Sequence, residues 1–164
     1  MTEFTVLFLC TGNSARSILA EALMNHLAVG RGRFRAYSAG SHPKGSVHPL
    51  ALQILTENHI PIAEFRSKSW DEFAGTDAAP LDFVFTVCDK AAAEICPIWP
   101  GQPMTAHWGV PDPAAVEGAE DIQRRAFKDA FLALRRRIEL FACLPFDKLT
   151  GLALKSELDR IGRA

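Results

Sequence analysis

Two residues, Cys10 and Arg16, combine reactive side chains with a spacing that suggests chemistry. They lie in VLFLCTGNSARS, residues 6–17, as a C-x5-R-S pattern. The thiol ends an apolar run, and Thr11, Gly12, Asn13, Ser14, Ala15, Arg16 and Ser17 follow it as a short, mostly polar stretch. Between a buried strand and a helix, the backbone N–H groups of such a stretch turn inward and make a nest for an anion. Arg16 adds a planar fork that grips two oxygens of a tetrahedral oxyanion. Cys10, at the floor of the nest, is expected to have a depressed pKa and to act as a thiolate nucleophile, with the Ser17 hydroxyl donating to its sulfur. The plainer alternative is a buried strand-end thiol and a surface arginine. It explains each residue alone but not their joint place between strand and helix.

A second constellation is HWGVPDPA, residues 107–114. Asp112 there could protonate a leaving oxygen of a bound oxyanion. Pro-Asp-Pro is also good turn chemistry, and the Cys10 loop is what favours the acid. His107, beside this stretch, is a candidate to orient Asp112. The other thiols, Cys88, Cys96 and Cys143, form no CxxC pair, so a zinc site is not expected. Taken alone, Cys88 and Cys96 each read as a small apolar core residue.

Positioning these groups falls to alternating strands and helices. Residues 4–9 (FTVLFL) read as a buried strand and 17–28 as a helix. A second strand, 33–38, ends at Ala39-Gly40, and Pro49 opens a helix over 49–59. A short helix is expected near Trp70 to Phe73, an apolar strand over 81–87, a helical turn at 90–95 ended by Pro97, and a weaker strand over 104–108. Phe127, Phe131, Leu134, Ile138 and Phe141 space an amphipathic helix over 121–142, and a last helix is expected over 149–161. This order predicts an α/β fold with a parallel sheet and right-handed crossovers. A chain of 164 residues is expected to form one domain with a core that needs no disulfides. The net charge of -1 gives no case for nucleic acid or an acidic membrane surface, and Arg135 to Arg137 read as a solvated helix face. No apolar run is long enough to span a bilayer, and no basic stretch precedes an apolar segment at the start. A cytoplasmic protein with no membrane partner is therefore expected.

CTGNSARS, YSAG (37–40), VCDKAAAEICPIWPG (87–101) and HWGVPDP (107–113) together resemble the low-molecular-weight protein tyrosine phosphatase superfamily. Within it, the chain is most similar to the thiol-disulfide-linked arsenate reductases. The resemblance runs from Thr5 to Phe141. It implies a four-stranded parallel sheet flanked by helices on both faces, a phosphatase-like domain over 1–144, and a helical C-terminal extension over 145–164 in the same domain. It also implies a reaction. Cys10 attacks arsenate held by Arg16 and the loop, and Asp112 helps water leave. Cys88 attacks Cys10 and releases arsenite, and Cys96 then draws the disulfide outward. Cys88 ends a strand expected to be parallel to the first, so it could approach Cys10. The implied reductant is thioredoxin, with glutathione and glutaredoxin as the other option. The Cys88–Cys96 gap of seven residues is one longer than in thioredoxin-linked relatives of Gram-positive bacteria.

No tightly bound cofactor is implied. Some relatives hold a potassium ion; Asn13, Glu21 and Ser38 match that site, while RSKSW (66–70) lacks the acidic residue that helps complete it. The alternative activity is that of a tyrosine phosphatase. Those members usually carry proline after the loop serine, where this chain has Ile18, and Trp108 is the residue that could stack on a phosphotyrosine ring. Cys143 falls outside the pattern and reads as structural.

Overall fold

A computed structural model describes residues 3–75 and 77–164. Four strands, β1 (Phe4–Leu9), β2 (Phe34–Ala39), β3 (Phe83–Thr86) and β4 (Met104–His107), form one sheet in the order β2-β1-β3-β4. All three pairings are parallel. The helices are α1 (Arg16–His26), α2 (Pro49–Glu57), α3 (Asp89–Ala93), α4 (Glu120–Ala142) and α5 (Gly151–Ile161), with 3-10 turns at Trp70–Phe73 and Pro113–Ala115.

β1 is apolar without alternation because both of its faces are covered. Val6 and Phe8 enter the larger core cluster with Ile18 and Leu23 of α1, Leu134, Ile138 and Phe141 of α4, and Leu158 of α5. Leu7 and Leu9 enter a second cluster with Val84 and Trp99, capped by Tyr37, Trp70 and Phe73. The result is the expected three-layer α/β/α arrangement, with the long helices in the larger cluster and the short turn at Trp70–Phe73 in the other. Phe141 is the hub of the larger core: its ring centroid lies 5.1 Å from Phe34, 5.0 Å from Phe83 and 5.2 Å from Phe85.

The elements fall close to where the sequence places them, and local chemistry explains the offsets. α2 stops at Glu57 because the chain turns at His59, whose φ is 60°. The ladder of β3 starts at Phe83 because the Leu81 N–H is already bound to the Pro100 carbonyl (3.0 Å). α5 buries Leu154, Leu158 and Ile161, and the Leu158 carbonyl accepts the Trp108 indole N–H at 3.0 Å. Among the described residues, no helix is long and apolar enough to cross a membrane.

The strand order opens a crevice at one end of the sheet. The chain leaves β1 outward to β2 and re-enters on the other side of β1 as β3. Connections thus depart in opposite directions from the carboxyl ends of β1 and β3, and the gap lies between them. Cys10 comes directly after β1, and Cys88 lies two residues beyond β3.

Candidate active site

Residues 10–17 curl at the mouth of this crevice. α1 begins with no side-chain cap and no acidic residue in its first turn, so its first N–H donors and positive dipole end face the loop unopposed. The loop carbonyls turn outward: those of Thr11, Gly12 and Ser14 accept the N–H groups of His42 (2.9 Å), Lys44 (2.9 Å) and His48 (2.8 Å). The nest therefore keeps its own amides for the interior. Asn13 is buried in the left-handed region at φ 43°, a conformation asparagine tolerates. Gly40 of YSAG has a steric reason to be glycine. A Cβ there would lie 2.4 Å from the Thr11 carbonyl and 2.8 Å from that of Cys10.

Arg16 donates through Nη1 to the Val110 carbonyl at 3.0 Å, and its Nη2 lies 3.6 Å from Asp112 Oδ2. Asp112 is also a turn residue, since its Oδ1 accepts the Ala114 N–H at 3.0 Å and caps the 3-10 turn at Pro113–Ala115. The turn and acid readings of this residue thus occupy one geometry. Cys10, Thr11, Arg16, Lys44, Cys88, Lys90 and Asp112 line a common cleft of about 370 Å³.

Three expectations about neighbouring residues are corrected. His107 does not reach Asp112: its Nδ1 engages Thr86 Oγ1 and its Nε2 engages Asp89, both at 2.7 Å. Trp108 is fully buried and stacks on Phe85 at 3.8 Å, so it cannot meet a substrate ring. Arg137 is not part of a solvated face. It is buried and donates to the carbonyls of Trp108 (2.9 Å) and Gly109 (2.8 Å), tying the Asp112 loop to α4.

The thiols divide by depth. Cys10 and Cys88 are buried, whereas Cys96 and Cys143 are exposed. Cys143 caps the end of α4 as a free surface thiol. Cys88 heads α3, where its sulfur accepts the Ala91 N–H at 3.4 Å and lies 3.9 Å from Thr11 Oγ1. Cys10 and Cys88 line the same cleft, close enough that the titration of each depends on the other. Of the two, Cys88 is the thiol whose pKa is pushed down, to about 5, chiefly by interaction with the Cys10 thiol and with help from Ala91, Thr11 and Arg16. Cys10 is pushed well above 9.0, first by Cys88 and then by burial, against the pull of Ser17. The expected depressed pKa at Cys10 is thus moved one residue across the pair. A second thiolate beside the first would be repelled by it. Ser17 still serves Cys10, with its Oγ 3.0 Å from the sulfur. Glu94, which the sequence did not mark, accepts the Thr11 hydroxyl at 2.8 Å and pins the Cys96 segment to the loop.

Asn13, Glu21 and Ser38 do come together, but they do not fit a potassium ion. Asn13 Oδ1 accepts the Lys68 N–H (2.9 Å), and the Ser38 hydroxyl donates to Glu21 Oε1 (2.5 Å). The Lys68 ammonium stands 3.8 Å from that same carboxylate oxygen. Among the described residues, no cluster of His, Cys, Asp and Glu could hold a metal ion.

A sequence model of the family described as low molecular weight phosphotyrosine protein phosphatase matches residues 5–149. The chain belongs to this family. A protein named arsenate reductase from Halalkalibacterium halodurans is 35% identical over 142 residues, which are 87% of this chain and 97% of the relative. The structure of a thioredoxin-dependent arsenate reductase from Corynebacterium glutamicum matches 82% of this chain with a TM-score of 0.55 at 31% identity; this chain spans 59% of that protein. A low molecular weight phosphotyrosine phosphatase from Vibrio cholerae matches 91% of this chain and 99% of its own with a TM-score of 0.64. At 21% identity that likeness concerns the fold.

Proposed function

We propose that this chain reduces arsenate to arsenite with electrons from its own thiols. The observation that carries the proposal is the meeting of two buried thiols, Cys10 and Cys88, in the lining of one cleft, with Cys96 exposed eight positions beyond Cys88. Phosphoester hydrolysis on this loop needs one thiol and an acid; a two-electron reduction needs two thiols that can meet. The relatives named arsenate reductase support the same reading.

In the proposed reaction, arsenate sits against the loop amides and the Arg16 fork. The Cys10 proton passes to Cys88, which leaves a Cys10 thiolate held by Ser17. The thiolate attacks arsenic, an S–As bond forms, and one arsenate oxygen departs as water with Asp112 as proton donor. Cys88, its proton lost again to solvent, attacks the Cys10 sulfur. The S–As bond breaks, its electron pair stays on arsenic, and arsenite leaves a Cys10–Cys88 disulfide. The Cys96 thiolate then attacks Cys88, frees Cys10 and carries the disulfide to Cys88–Cys96. A dithiol protein of the thioredoxin type returns the two electrons there, with glutathione and glutaredoxin as the other candidate donors.

The test is loss of NADPH in the presence of arsenate, thioredoxin and thioredoxin reductase, run beside glutathione and glutaredoxin. Arsenate-dependent oxidation is expected with the first set, and none with either would overturn the proposal. Cys96→Ser, given one equivalent of arsenate, should complete one reduction and accumulate the Cys10–Cys88 disulfide by mass spectrometry. A bridge to Cys143 instead would refute the assigned order.

A further inference from the structure

Six polar or charged residues are buried among those described, and four of them, Asn13, Ser17, Ser38 and Lys68, make one hydrogen-bonded group behind Cys10. Lys68 is the unexpected member. A buried ammonium is costly unless it is paired, and its partner Glu21 is itself largely buried. The route from this pair to the nucleophile is short. Ser38 Oγ donates to Glu21 at 2.5 Å, Asn13 Nδ2 donates to Ser38 Oγ at 3.0 Å and to Ser17 Oγ at 2.8 Å, and Ser17 Oγ meets the Cys10 sulfur at 3.0 Å.

The direction of these bonds is set from the Lys68 end. An ionised Glu21 can only accept, so the Ser38 hydroxyl must donate to it and accept from Asn13. Asn13 is oriented by the Lys68 N–H on its Oδ1. With Ser17 Oγ already accepting from Asn13, the Ser17 hydroxyl proton is free to point at Cys10. A protonated Glu21 would itself donate to Ser38, and Ser38 Oγ, already accepting from that acid, would hold the Asn13 amide, and through it Ser17, less firmly. Burial pushes the Glu21 carboxyl up, and the charge of Lys68 is the largest influence pulling it back. The other nearby cation, Arg66, is engaged by Glu72 at 2.9 and 2.6 Å. Lys68 is fixed from three sides, since its Nζ also donates to the Arg66 carbonyl (3.1 Å) and its carbonyl accepts the Gly40 N–H (2.9 Å).

We propose that Lys68 is a positioning residue. Its ammonium is the built-in cation of the loop, keeping Glu21 ionised so that Ser38 donates to it and holds the Asn13 amide that leaves Ser17 a donor aimed at Cys10, with no metal ion required. This rests on the reading of Cys10 as the nucleophile. The experiment therefore measures the thiol itself, and a failure to reduce arsenate leaves its result standing. In a Cys88→Ser background, the rate of Cys10 alkylation by iodoacetate is followed by mass spectrometry in the parent, Lys68→Met, Lys68→Arg, and Lys68→Met with Glu21→Gln. Losing a charge-directed donor should slow Lys68→Met about tenfold, and Lys68→Arg, which keeps the cation, should stay within about threefold of the parent. In thermal melts the double variant should exceed Lys68→Met, because removing both charges costs less than stranding one. The parent should melt identically in potassium and sodium chloride. Parental alkylation by Lys68→Met, a double variant no more stable than the single one, or potassium-specific stabilisation of the parent would each overturn the proposal. If Lys68→Met does not fold, the double variant must; failure of both would make Lys68 a packing residue and overturn it as well.

Discussion

Cys10→Ala is the sharpest probe of the thiol pair. Cys88 is pushed down to about 5 from an ordinary value of 9.0. The largest cause is its interaction with the Cys10 thiol as a donor. A hydrogen bond to a charged acceptor is worth about 1.5–3 kcal/mol, so its removal should raise Cys88 by roughly one to two pH units. The Ala91 N–H at 3.4 Å, Thr11 and Arg16 remain, so the group should not return to its ordinary value. Ultraviolet thiolate absorbance, referenced to Cys10→Ala with Cys88→Ser, reads the midpoint directly. An unchanged midpoint would refute Cys10 as the donor, and a return to the ordinary value would refute the remaining cradle.

The same pair sets a pH dependence of stability. Cys88 is depressed, so between about 5 and 9.0 the folded chain carries a thiolate where the unfolded chain carries a thiol. Stability from this group is fully present above 9.0 and is lost as pH falls through about 5. Cys10 is raised, so its contribution has the opposite slope and erodes stability as pH rises beyond 9.0. Denaturant midpoints of the parent should therefore climb with pH across the lower window more steeply than those of Cys88→Ser, and parallel curves would count against the assignment.

Two other substitutions test the frame of the loop. Arg16→Lys keeps the charge but loses the fork that also holds the Val110 carbonyl at 3.0 Å, so phosphate affinity measured by calorimetry should fall about tenfold or more, and parental affinity would contradict the oxyanion assignment. Gly40→Ala places a Cβ 2.4 Å from the Thr11 carbonyl, backbone against backbone, and should cost about 1–3 kcal/mol in chemical denaturation; a neutral result would mean the loop can shift away from β2.

The sheet was legible because strong local signals agreed with the global fold. FTVLFL and LDFVFTV are too apolar for an edge strand, and the phenylalanine spacing of 121–142 admits only a helix with a buried stripe. The Cys10 loop was legible because its residue types are few and its place between strand and helix is diagnostic. What the sequence hid is three-dimensional. Arg137 looks like its neighbour Arg135, which pairs with Glu139 at 2.8 Å on the surface, and only the helix rotation turns one of them inward. Lys68 lies 58 positions from Cys10, and nothing in RSKSW signals that its ammonium is buried against Glu21. The opposite pKa shifts of Cys10 and Cys88 were equally hidden. The adjacency of β1 and β3 brings the two strand ends together as expected, but the depth of the two thiols is not written in the sequence.

That order also bears on how a buried thiol could communicate with an exterior reductant. Because β1 and β3 are adjacent and parallel, their C-terminal loops meet, and Cys88 can serve Cys10 without leaving its own helix N-terminus. Cys96 is exposed while Cys88 is buried, so in the proposed cascade the stretch from Asp89 to Ile95 is the part of the chain that would move. Its composition suits that demand. α3 has five residues, short enough that its helical bonds add little stability by themselves. Of its side chains only Ala91 is buried. It is tethered by Asp89 on His107 and by Glu94 on the Thr11 hydroxyl, the second a bond made to the anion loop itself. In the proposed cascade, the hydroxyl that locks the Cys96 segment therefore belongs to the loop that holds the substrate. Unlocking that segment and emptying the loop become two events at one residue, which would place the outward transfer of the disulfide after arsenite has left.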